Sequence, residues 1–213
     1  MKETATQKTE DEQNRIAQDE ALAAIGEVYY RGIGTKRDFN QAFRYYRKAA
    51  DLGNVSALRR LAFCYENGYG TAPDIEAALV CYEDASERGD ALATLKLGDF
   101  YKEGLSSLIT KDLRKATDYY FAALRQARHN LDAWNAPEIY LRIADCLYGG
   151  IGVKQDVETA YDFYNAAANL FLERLDSGDT ESEELLEQAE QGADACGRIL
   201  GYKQEVSPEG FEA

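Results

Sequence analysis

The sequence is poorest in the residues that carry chemistry. It has one His, His129, and one His cannot build a His-rich metal site. No Ser or Cys stands in a recognisable nucleophile motif. Four Cys occur, at 64, 81, 146 and 196, with no CxxC, which predicts reduced thiols and a cytoplasmic chain. No apolar run approaches a membrane span, and Met1 to Asp19 lacks the basic start and apolar core of a signal peptide. Basic residues are also few: 24 Lys and Arg stand against 38 Asp and Glu, a net charge of -14. That balance repels nucleic acid and anionic membrane surfaces. With 3 Pro and few β-branched runs, Ala, Leu, Glu, Lys and Arg dominate, and the expected class is all-α. A hydrophobic content of 45% makes the chain globular rather than disordered.

What is abundant is repetition. The stretch Tyr29-Tyr30-Arg31-Gly32-Ile33-Gly34, followed by Asp38, returns as Tyr65-Glu66-Asn67-Gly68-Tyr69-Gly70 with Asp74. It returns in altered form as Tyr101-Lys102-Glu103-Gly104 with Asp112, and clearly as Leu147-Tyr148-Gly149-Gly150-Ile151-Gly152 with Asp156. Gly32 to Gly68 and Gly68 to Gly104 are each 36 residues; Gly104 to Gly150 is 46. A period in the thirties marks stacked supersecondary units.

Each unit reads as two helices, A and B. Helix A of the first unit carries Ile16, Leu22, Ile25, Val28 and Tyr29 on its apolar side and ends at Gly32. A Gly there supplies a left-handed cap, so Gly32 and Gly68 are predicted to have positive φ. Gly26, Ala62, Gly98 and Ala144 share one slot inside helix A, and a tiny residue there implies close approach of a neighbour. Asp38, Asp74, Asp112 and Asp156 are predicted N-caps of helix B. Helix B then carries Ala42, Tyr45, Tyr46 and Ala49 and their equivalents. Tyr46, Tyr82, Tyr120 and Tyr164 share a slot, so they read as core. Tyr30, Tyr69, Tyr148 and Trp134 are the aromatics expected at the surface.

This pattern resembles the Sel-one-like repeat family, relatives of the tetratricopeptide repeat with a longer, Gly-containing A–B loop. The match runs through Ala21, Ile25, Gly26, Tyr29, Gly32, Gly34, Asp38, Ala42, Tyr46, Ala49, Ala50 and Gly53, and again from Ala57 to Gly89. The resemblance implies an α/α superhelix, a solenoid of about four helix-pair repeats with a C-terminal capping helix. It implies a non-enzymatic scaffold or adaptor that holds a peptide or protein segment in a concave groove lined by A helices. By repeat phase the groove residues are Glu27, Tyr30 and Arg31; Phe63, Glu66 and Asn67; Asp99, Lys102 and Glu103; Asp145 and Tyr148; with Arg59 and Leu95 one turn earlier. Their acidity, with the net charge behind it, points to a basic or amphipathic segment anchored on Tyr30, Phe63 and Tyr148. A secreted or periplasmic effector of the same fold is the alternative, and a hydrolase using a carboxylate pair a distant one. No cofactor, metal, nucleic acid or membrane insertion is expected.

The organisation is a mobile polar stretch 1–15, repeats at 16–54, 55–90, 91–134 and 135–176, a capping helix at 177–201 and a tail 202–213. A capping box at Thr9-Glu10-Asp11-Glu12 predicts where the first helix starts. The third repeat departs most: its loop lacks the second Gly, and Leu105, Leu108 and Ile109 are expected exposed, free to dock on a neighbour or partner. Its helix B runs on to His129, and Asn135 and Pro137 reopen a helix. The capping helix is expected to turn Leu185, Leu186, Ala189, Ala193, Cys196 and Leu200 inward. Gly32-Ile33-Gly34-Thr35-Lys36 is faintly like a phosphate loop, but no strand precedes it and it recurs as a helix cap. Cys64, Cys81 and Cys146 fall in apolar slots, as small buried hydrophobes do.

Overall fold

The computed structural model describes residues 2–105, 108–129 and 137–202. Among them the chain is built of α1 (Lys2–Arg31), α2 (Phe39–Asp51), α3 (Val55–Asn67), α4 (Ile75–Glu87), α5 (Ala91–Glu103), α6 (Leu113–His129), α7 (Pro137–Gly149), α8 (Val157–Asp176) and α9 (Glu183–Leu200). A 3-10 turn at Thr180–Ser182 precedes the last helix. Odd-numbered helices to α7 are the A helices and even-numbered ones to α8 the B helices, with α9 as the terminal helix. The chain divides into two compact units, Met1–Leu97 and Gly98–Ala213, with the boundary inside α5.

The A–B loops follow from their capping residues. Asp38, Asp74, Asp112 and Asp156 each accept from the backbone N–H three residues on, at 3.0, 2.9, 2.9 and 3.0 Å. The N–H groups of the same four Asp donate back to helix A, to the carbonyls of Tyr29, Tyr65, Tyr101 and Leu147. One carboxylate therefore satisfies an orphan amide of helix B while its own backbone ties the loop to helix A. Gly32 and Gly68 have φ of 74° and 72°, in the left-handed region that their place after the last helical turn predicts.

Packing explains the tiny residue inside helix A. A Cβ on Gly26 would lie 2.7 Å from the Tyr46 ring, and one on Gly98 2.5 Å from Tyr120. The ring of helix B is thus seated directly on the backbone of its own helix A. Tyr46, Tyr82, Tyr120 and Tyr164 are buried, at 1%, 2%, 0% and 4% exposure. Between them lie alanines such as Ala42, Ala78, Ala116 and Ala160, all but lost to solvent. Burying a ring of this size is among the larger apolar contributions a single side chain makes.

In the second unit α9 buries Ala189, Ala193 and Cys196, with Leu185, Leu186 and Leu200 half-buried. Gly192 abuts the Tyr164 ring, so α9 covers α8. Its outer Glu183, Glu184, Glu187 and Glu190 are exposed, as suits a helix closing a repeat array. All four Cys are free thiols; Cys64, Cys146 and Cys196 are buried and Cys81 half-buried. Burial pushes the Cys64 thiol up to about 11.

The structure corrects several expectations. Helical backbone begins at Lys2, ahead of Thr9 and across most of the stretch expected to be mobile, because Lys, Glu, Gln and Ala all favour helix. Ile16 and Ile25 are exposed, at 47% and 39%, rather than inward. Leu61, Leu97 and Ile143, in the slot of Ile25, are buried and each follows a B helix, whereas among the described residues no B helix lies on this side of α1. In the third loop Leu105 N–H donates to the Ile109 carbonyl at 2.8 Å. That bridge folds the loop on itself and buries Ile109 to 6% exposure, leaving Leu108 exposed and Leu105 half-buried. Tyr30, Tyr69 and Tyr148 are half-buried rather than free at the surface. Trp134, the Asn135 cap, the repeat boundary at 134–135 and the tail from 203 lie outside the described residues, as does the side chain of His129.

Candidate protein-binding face

The residues expected to form the binding face lie along the A helices. In the first unit Tyr30 and Phe63 come together, with ring centroids 6.2 Å apart. Phe39 and Tyr69 join them: Tyr30 lies 5.6 Å from Phe39 and 6.1 Å from Tyr69, and Phe39 stacks on Tyr69 at 4.5 Å. Tyr69 reaches this cluster because Gly70 lets the loop touch the start of α2; a Cβ there would lie 2.2 Å from the Phe39 carbonyl oxygen. Arg31 is exposed and pairs with Glu27 one turn earlier. Asn67 is exposed and caps the Phe63 carbonyl at 2.9 Å. Arg59 is held by Asp90 at 3.0 Å. Leu95 is buried at 7% exposure, so it offers little surface to a ligand.

The acids of the face have partners within the fold. Tyr46 donates to Glu27 at 2.8 Å, Tyr82 to Glu66 at 2.9 Å, Tyr120 to Asp99 at 2.8 Å and Tyr164 to Asp145 at 2.8 Å. Each bond joins helix B to the A helix of its own repeat. A base from the next A helix completes the rung: Arg60 to Glu27 at 3.3 Å, Lys96 to Glu66 at 2.8 Å and Arg142 to Asp99 at 3.0 Å. Among the described residues Asp145, in the last repeat, has no ion pair. Burial pushes the Glu27 carboxyl up, but the Arg60 charge and the bonds from Arg31 and Tyr46 outweigh it, leaving the group below its ordinary value. The Tyr46, Tyr82, Tyr120 and Tyr164 hydroxyls are pushed far up, first by burial and then by the facing carboxylate. They act as fixed donors rather than proton carriers.

The second repeat shows how tightly this arrangement is held. Phe63 occupies the slot that holds Glu27, Asp99 and Asp145 elsewhere. Its acid, Glu66, sits three residues further on, on the same helix face. The bases had a signal in the sequence that the glycine pattern overshadows. Arg60, Lys96 and Arg142 share one slot, immediately before the large apolar residue of helix A, and Ala24 holds that slot in the first repeat. Lys102 is half-buried and Glu103 exposed in the second unit. Tyr148 lies 6.4 Å from Tyr164, edge to face.

Between α1 and α3 the first unit holds an open cavity of about 340 Å³. Ala23, Ala24, Ser56 and Ala57 line it with small side chains, Tyr46 adds a ring, and Glu27, Arg59 and Arg60 supply charge. It is large enough for one or two side chains of a bound segment.

A family model described as the Sel1 repeat matches residues 19–54, 55–90, 91–127 and 137–170. The chain belongs to the Sel1 repeat family. Its fold class is accordingly the all-α helical-repeat solenoid with a C-terminal helix. Sel1 repeats serve in general as protein-interaction scaffolds and are typically non-catalytic. Among solved structures this Sel1 chain is similar to a Sel1 repeat protein from Oxalobacter formigenes, 26% identical with a TM-score of 0.61, covering 85% of this chain and 73% of that one. It is also similar to Helicobacter pylori cysteine rich protein B, 24% identical with a TM-score of 0.46, covering 70% of this chain and 96% of that one. A third is c5321, a protective antigen of uropathogenic Escherichia coli strains, 16% identical with a TM-score of 0.47, covering 92% and 58%. No curated protein matches the Sel1 chain. Among its described residues no helix is long and apolar enough to cross a membrane.

Proposed function

We propose that this Sel1 chain is a non-enzymatic adaptor that holds a segment of another protein against its A helices, with the α1–α3 cavity as one seat. The observation that supports this most is the cavity itself. It falls on the A-helix face, takes in Glu27 and Arg59 from the expected set, and has a floor of small side chains open to solvent. The aromatic cluster around Tyr30 and Phe63 adds an apolar anchor in the same unit. The segment is amphipathic rather than strongly basic. Glu27, Glu66 and Asp99 already face Arg60, Lys96 and Arg142, so little uncompensated negative charge is left on the face.

Ser56 is exposed at the cavity and takes no part in the tyrosine–carboxylate bonds, so Ser56→Trp fills the seat while leaving the fold intact. Val80, 64% exposed on the B helix α4, is the control site. Quantitative pull-down from the native host should lose the bound protein with Ser56→Trp and keep it with Val80→Arg. Retention by the first variant and loss with the second would place the binding surface on the B helices instead.

A further inference from the structure

The exposed side of α1 carries a full set of contact residues with nothing upon them. Ile25 is 39% exposed, whereas Leu61, Leu97 and Ile143 in the same slot are 6%, 2% and 0% exposed. Ala21 is exposed, whereas Ala57, Ala93 and Ile139 are buried. Ile33 is 59% exposed, whereas its loop equivalents Tyr69 and Ile151 are half-buried. The second loop glycine repeats the contrast. A Cβ on Gly70 would strike the Phe39 carbonyl at 2.2 Å and one on Gly152 the Leu113 carbonyl at 2.4 Å, yet Gly34 has nothing within 4 Å. Phe39 and Leu113 are the first residues of the preceding B helices.

These slots therefore have a known occupant elsewhere in the chain. In the second repeat Leu61 and Cys64 pack with Ala42 and Tyr46 of α2. In the fourth, Thr117 of α6 bonds to Cys146 at 3.5 Å and to the Ile151 carbonyl at 2.8 Å. The interface is an A helix with its loop, covered by one B helix whose first turn lies across the loop glycine. The base slot decides between a lone helix and a whole repeat. Arg60, Lys96 and Arg142 each meet an acid on the preceding A helix. Ala24 has no charge to offer, so α1 suits an occupant that brings no such acid.

We infer that the uncovered side of α1 seats a single amphipathic helix of a partner protein, in the way that α3 seats α2. The helix recognised has the B-helix stripe, a small residue with an aromatic four positions on, as in Ala42 and Tyr46 or Ala116 and Tyr120. Its first backbone carbonyl lies over Gly34, which a larger residue would obstruct. Ala21, Ile25, Val28 and Ile33 supply the apolar contacts.

The probe is a synthetic peptide of residues 38–53, which carries α2 with its cap. Such a short helix is marginal in water, so weak binding is expected and amide NMR on the full chain is the suitable readout. The peptide should shift the amides of Ala21, Ile25, Val28 and Gly34. Its affinity should fall at least ~10-fold for the chain carrying Ile25→Arg with Ile33→Asp. Both side chains are exposed, so this variant should keep its helical circular dichroism. A peptide with Ala42→Glu and Tyr46→Glu should leave the spectrum unchanged. The inference is overturned by absence of shifts at millimolar peptide, or by shifts that persist in the double variant. It is also overturned if the chain sediments as a dimer that the variant converts to a monomer, because a second copy is then the occupant.

Discussion

Removing one hydroxyl tests whether the tyrosine–carboxylate rungs hold the repeats or merely decorate them. Tyr120 is the best site, since it is fully buried and its ring lies against the Gly98 backbone. Tyr120→Phe keeps that ring and deletes only the 2.8 Å bond to Asp99. A hydrogen bond to a charged group contributes about 1.5–3 kcal/mol. Asp99 keeps Arg142 at 3.0 Å and is about one-fifth exposed, with 22% of its side chain in solvent, so water replaces part of the lost bond. The expected loss is therefore at the low end, about 1.5 kcal/mol. Asp99→Asn should also destabilise, by weakening the contact to Arg142 as well as the one to Tyr120. The pair in one chain should lose less than the sum, with a coupling of about 1 kcal/mol. Urea unfolding followed by circular dichroism gives these differences, provided the slopes stay equal among variants. Were Tyr120→Phe to cost under about 0.5 kcal/mol and the two changes to add, the rung would be incidental to stability.

Gly34→Ala and Gly70→Ala share a left-handed backbone, with φ of 67° and 75°, and so share a conformational cost of about 1–2 kcal/mol. Only Gly70→Ala drives a Cβ into the Phe39 carbonyl, so its melting temperature should fall at least twice as far; equal falls would contradict the packing. Because the Glu27 carboxyl is held below its ordinary value, its stabilisation is present above the carboxylate range and lost as pH falls through it. The gap in melting temperature between wild type and Glu27→Gln should then be wide at neutral pH and close below about pH 4; a gap independent of pH would refute this. Native-state alkylation at mildly alkaline pH should modify half-buried Cys81 first and reach Cys64, Cys146 and Cys196 only on unfolding, as peptide mapping will show.

The architecture was legible because glycines, capping Asp and paired aromatics recur in phase, and each has a local physical reason to do so. The rungs were not legible for an equally physical reason. Tyr120 and Asp99 are far apart in sequence and on different helices, so neither helix period nor cap chemistry connects them. In the second repeat the acid moves to Glu66, and slot-by-slot reading sees only Phe63 in its place. Ile25 was misread because an apolar residue occupies its slot in every repeat; what differs is the presence of a preceding helix. Ile109 was misread because the bridge to Leu105 depends on backbone geometry that its composition does not signal. Of the expected binding face, Leu95 proved to be core and most acids to be internal partners, leaving the half-buried aromatic cluster, the α1–α3 cavity and exposed Arg31, Asn67 and Glu103 as what it offers to a ligand.

The rungs also give the array a direction. The first three take their acid from one repeat and a base from the following one. A repeat array wired this way is not indifferent to recombination. A unit appended after the fourth repeat would have to displace α9 before a base in the slot of Arg142 could reach Asp145. A unit inserted ahead of the first would bring an acid and meet only Ala24. Duplicating, deleting or shuffling whole repeats should thus be tolerated unequally along the chain.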